Sequence, residues 1–99
     1  MTILQVLQST GLPVAYSHFR TAQQPPFLVY IGNGQSNFSA DNTFYHSTNE
    51  YQIEYYFEKK NEQNERAIES ALLSNGYQYE KSEDTYITDQ NLYVLYYYI

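Results

Sequence analysis

The chain has 99 residues, a formal net charge of −6, no cysteine and no tryptophan, but thirteen tyrosines. One domain spanning 1–99 is expected, with no disulfide or thiolate metal site to support it. Eleven acids against five scattered bases exclude nonspecific DNA or RNA binding, which needs clustered Lys and Arg.

From the N-terminus, the first pattern is helical. Ile3, Val6 and Leu7 fall on one face, Thr2 can cap the start, and Gly11 stands where a C-terminal glycine belongs, so a helix is predicted over about 2–10. Leu12 to Tyr16 reads as extended, because Pro13 pushes Leu12 out of the α region. A polar connector, Arg20 to Pro26, leads to the apolar run Phe27 to Ile31. Its lack of alternation predicts an inner strand buried on both faces. A loop rich in Gly, Asn and Ser follows from Gly32 to about Asn42, with a short strand from Thr43 to Ser47. A loop this long points to a docking element.

Glu50 to Glu58 alternates: Tyr51, Ile53, Tyr55 and Phe57 against Gln52, Glu54, Tyr56 and Glu58. That is an antiparallel strand with one core face and one wet face, interrupted on the wet face by Tyr56. A second helix is predicted over about 61–75. Asn61 opens it, Glu62 and Glu65 lie near its positive end, Ala67, Ile68, Ala71 and Leu72 form the apolar stripe, and Asn75-Gly76 closes it. Tyr77 to Lys81 and Thr85 to Ile87 read as strands around a Ser82-Glu83-Asp84 turn. Gln90 to Ile99 is the last strand, apolar on both faces. The expected class is α+β: a mostly antiparallel sheet with two helices packed on one face.

The catalytic vocabulary is thin. His18 and His46 have no metal-ligand spacing between them and read as ordinary loop and strand residues. There is no Gly-x-Ser-x-Gly, and Ser17-His18 has no third orienting group. Gly32-Asn33-Gly34 lacks the Lys-Ser/Thr of a phosphate loop. Glu54 and Glu58 share a strand face and read as solvated acids, not as a general acid and base. No enzyme activity, cofactor or metal is expected. The tyrosines carry the signal, because an apolar body with a polar tip suits contact surfaces. Tyr51 and Tyr55 fall on the core face, while Tyr56 falls on the wet one. In the last strand one face carries Leu92, Val94, Tyr96 and Tyr98, the other Tyr93, Leu95, Tyr97 and Ile99. One can meet the helices, and the other needs covering.

Four segments in order carry a resemblance. They are Gly11 to Phe19, Pro25 to Gly32, Asn37 to Tyr45 and Tyr51 to Tyr56 running into Glu58-Lys59-Lys60, and the most specific part is Phe38-x-Ala40-Asp41-Asn42-x-x-Tyr45. The chain resembles, over nearly its whole length, the small head–tail joining, tail-completion and tail-terminator proteins of long-tailed phages and prophages of Gram-positive bacteria, whose annotations overlap with minor capsid proteins. The resemblance implies a tail-terminator-like fold and a ring of copies of itself, with a hexamer favoured. That ring would bind tail-tube and head-connector proteins and let DNA pass without gripping it. It implies a virion component assembled in the host cytoplasm. Phe38, Asp41, Asn42, Tyr45, Tyr56, Tyr93 and Tyr97 are then the candidate subunit or partner contacts, and Glu54 and Glu58 the candidate acids of the lumen. No apolar run reaches the roughly 20 residues of a membrane helix, and the N-terminus lacks the pattern of a signal peptide, so a soluble chain is expected. A different reading is an acidic phage inhibitor that mimics DNA. Between Arg20 and Asn49, however, Asp41 is the only acid, which is a poor match to phosphate-like spacing.

Overall fold

A computed structural model describes residues 2–32 and 50–99. The expected strand at Thr43 to Ser47, most of the 32–42 loop, His46, and the candidates Phe38, Asp41, Asn42 and Tyr45 lie outside the described residues. The fold is α+β. Helix α1 is Ile3–Gln8 and helix α2 is Glu62–Ser74. The strands are β1 (Val14–Tyr16), β2 (Phe27–Gly32), β3 (Tyr51–Phe57), β4 (Glu80–Lys81), β5 (Thr85–Ile87) and β6 (Leu92–Tyr98).

Both helices begin and end for visible reasons. Thr2 and Gln5 form a reciprocal capping box, in which each side chain accepts from the other's backbone N–H. Asn61 accepts from the Asn64 backbone N–H at the start of α2. At its end Gly76 has φ 87°, and the backbone N–H groups of Gly76 and Tyr77 donate to the carbonyls of Leu73 and Leu72. This closure favours glycine at the left-handed position.

The sheet runs β1-β2-β3-β6, with β4 and β5 on the outer side of β6. Among the described strands, only β1 and β2 pair in parallel. The strands expected around the Ser82-Glu83-Asp84 turn, β4 and β5, do not pair with each other. Both strands instead pair with β6 one after the other, as a single edge strand broken at Ser82. Ser82 spans the break: its N–H donates to the Tyr96 carbonyl and its Oγ accepts from the Tyr96 N–H, both at 2.9 Å. Register places Leu28, Tyr55 and Leu95 in one row and Ile53 beside Tyr97. These residues form one cluster with Ile3, Val6, Leu7, Ile68 and Leu72, so both helices pack on the same sheet face. Apolar burial on that face supplies the main stabilisation, about 25 cal/mol per Å² removed from water. Ala67, expected in the stripe of α2, is exposed. The buried positions are Glu65, Ile68 and Leu72, so a carboxylate occupies the place expected for an alkyl group.

Candidate functional site

The opposite sheet face carries no helix among the described residues. Pairing sets its content by the alternation of the strands. Phe27, Tyr56 and Val94 form one row, Val29, Glu54 and Tyr96 the next, and Ile31, Gln52, Tyr98 and Glu80 the third. Phe27, Tyr56, Tyr96 and Tyr98 are half-buried, while Val29 and Val94 beneath them are buried. The rings are ordered against each other. Phe27 stacks on Tyr56 at 5.0 Å, and Tyr96 lies nearly parallel to Tyr98 at 6.2 Å. No lysine or arginine stands in these three rows.

Glu54 sits at the centre of this face. It accepts hydrogen bonds from the Tyr56 hydroxyl at 2.7 Å and the Gln52 amide at 2.8 Å. Burial, and then the hydrogen bond to Glu54, raise the Tyr56 phenol well above its ordinary range. The phenol therefore stays protonated and acts as the donor in this contact.

Tyr56 thus lies on the helix-free face as expected from its strand position. Tyr93 and Tyr97 do not join it. Tyr93 pairs with Phe57 and Tyr97 with Ile53, which puts both on the helix side. Tyr97 is fully buried and is corrected from contact surface to core: its hydroxyl donates to Glu69 at 2.7 Å, and Tyr79 meets its ring edge-on at 5.5 Å. Tyr93, at the strand end, is 38% exposed and stacks on Phe57 at 5.4 Å. The aromatic residues of β6 that do share a face with Tyr56 are Tyr96 and Tyr98. Glu58 lies beyond the end of β3 and is exposed, so Glu54 and Glu58 do not stand together on one strand.

An ionic network escaped the sequence reading. Glu65, 3% exposed, has Lys60 Nζ 2.7 Å from one carboxylate oxygen and Lys81 Nζ 3.2 Å from the other. Lys81 also reaches Glu69 at 2.7 Å, and Lys60 reaches Asp84 at 3.0 Å. The network ties the β3–α2 turn, helix α2 and the broken edge strand together. Burial pushes the Glu69 carboxyl up, but hydrogen bonds from Lys81 and Tyr97 lead the effects that hold it below its ordinary value. The available signal was the i, i+3, i+7 placement of Glu65 with Ile68 and Leu72.

Two concavities flank β3. At its start, Glu50, Tyr77, Gln78, Tyr79, Glu80 and Tyr98 help to line an open cleft of about 590 Å³. At its other end, a smaller one of about 330 Å³ is lined by Pro25, Pro26 and the turn from Glu58 to Asn61. Among the described residues no group of three or more His, Cys, Asp and Glu side chains could hold a metal ion, and no helix is long and apolar enough to cross a membrane. No known family, curated protein or solved structure matches the chain.

Proposed function

We propose that this protein is a non-enzymatic subunit of a phage or prophage head–tail junction. It forms a homo-oligomeric ring, with a hexamer favoured, that joins or terminates the tail and lets DNA pass. Tail-tube and head-connector proteins are its partners, and the virion is its final location. The observation that carries this reading is the helix-free aromatic face of Phe27, Tyr56, Tyr96 and Tyr98. Such a face suits burial against another protein, and its lack of basic residues in the three central rows suits a ring that must not hold phosphates. Glu54 is bound to Tyr56 and belongs with that contact surface. Exposed Glu58 is the remaining lumen candidate.

Incubation with tail tubes lacking their terminator, followed by negative-stain microscopy, tests the reading. Rings seated at tube ends or on head connectors are expected. A protein that ignores both, at concentrations where it is folded, removes the proposal. In that case inhibition of a restriction or interference nuclease would favour the DNA-mimic alternative.

A further inference from the structure

The cleft at the start of β3 is acidic and aromatic, and none of the chain's five basic residues lines it. Glu50 and Glu80 supply exposed carboxylates, and Tyr77, Tyr79 and Tyr98 supply half-buried rings. This chemistry fits an ammonium group carried on an alkyl stem. Carboxylates attract the charge, ring faces accept it, and the stem covers apolar surface.

The same strand presents such a group at its far end. Lys60 and Lys81 are engaged by Glu65, Glu69 and Asp84. Lys59 is exposed, makes no ion pair among the described residues, and projects from the turn immediately after Phe57. Seven residues of β3 separate cleft from turn, about 23 Å at the usual rise, so no subunit can fill its own cleft this way.

We infer that the acidic cleft of one subunit receives the Lys59 corner of a second copy. This inference rests on the ring reading above and gives that ring its contact. The two patches are different surfaces of the same chain, so the contact is heterologous and propagates head to tail, closing into a ring when the rotation permits. Glu80 and Tyr98 pair in the third row of the helix-free face, so one wall of the cleft is continuous with the aromatic rows. Those rows supply apolar area beyond the charge pair, as a stable interface of about 1,600 Å² requires.

Sedimentation velocity over a range of protein concentration, at low and high salt, reads the contact directly. Association is expected to weaken with salt. Lys59→Glu and the double variant Glu50→Lys/Glu80→Lys are each expected to weaken it by at least about tenfold, because each sets like charges against one another. Mixing the two variants restores complementarity at both kinds of contact, and recovery of the oligomer in the mixture is the decisive result. It also shows that neither variant has simply failed to fold. Association that is indifferent to both variants overturns the inference while leaving a ring built through other surfaces. A chain that stays monomeric at the highest concentration also overturns it, whereas tube binding judges the parent reading separately.

Discussion

Glu65 shows how one side chain can set the character of a small core. Its carboxylate is buried beside two lysines whose side chains are 45% and 37% exposed. Removing one partner of a fully buried pair costs about 3–5 kcal/mol, and of an exposed pair about 0–1. Half-solvated lysines place Glu65→Gln between these, at about 2 kcal/mol, measurable by urea unfolding. Unchanged stability would mean that the desolvation of Glu65 cancels its ion pairs. Sequence pattern pointed elsewhere because a glutamate near a helix start is ordinarily explained by the helix dipole. Burial of its charge depends on Lys81, sixteen positions later, coming to lie against α2, and no local spacing encodes that approach. The same limit explains Tyr97. Alternation separated the two faces of β6 but did not say which one the helices cover.

Among the elements, the broken edge strand is the most exposed to change. Its two pieces have only two and three residues, and Ser82 bridges them through its hydroxyl. Ser82→Ala leaves the Tyr96 N–H without that acceptor, at a cost of about 1 kcal/mol. Hydrogen exchange of the Tyr96 amide should then be about fivefold faster if it opens locally, while amides of β3 keep their rates. Equal rates in parent and variant would show that water replaces the serine. Elements with a strong internal period were legible: β3 from its alternation, α2 from its caps and stripe, and α1 from Thr2, Ile3, Val6 and Leu7. The pairing of β4 and β5 with β6 was not. A Ser-Glu-Asp turn between two short apolar–polar runs looks like a hairpin from either side. Here the outer edge of β6 captures both runs, since it offers a longer ladder than they offer each other.

At the scale of the molecule, the sheet divides into a face closed by helices and a face closed by none among the described residues. Substitutions on the two faces should therefore fail differently. Tyr97→Ala empties a fully buried site and should cost about 3–5 kcal/mol in thermal or urea unfolding. Tyr96→Ala, on the other face, should cost far less in folding and more in association, read by sedimentation. Similar stability losses from both would mean that the second face is core as well. The half-buried state of the aromatic face was foreshadowed by the apolar character of both sides of β6, while its partner remained beyond the reach of local pattern. The phenols have one more consequence. Six tyrosines (30, 55, 56, 79, 96 and 97) have pKa values raised first of all by burial. The unfolded chain loses these protons from about pH 10, before the folded chain does, so their stabilisation is complete below that pH and drains away above it. Lys60 and Lys81, raised by hydrogen bonds to Glu65 and Glu69, lose theirs in the same direction. In an alkaline titration followed by phenolate absorbance, these six tyrosines should ionise in one late cooperative step that coincides with loss of circular dichroism. A smooth, early titration of these six would place their rings in water. Alkali thus becomes a chemical denaturant for this protein with a built-in optical reporter, and the abundance of tyrosine supplies both.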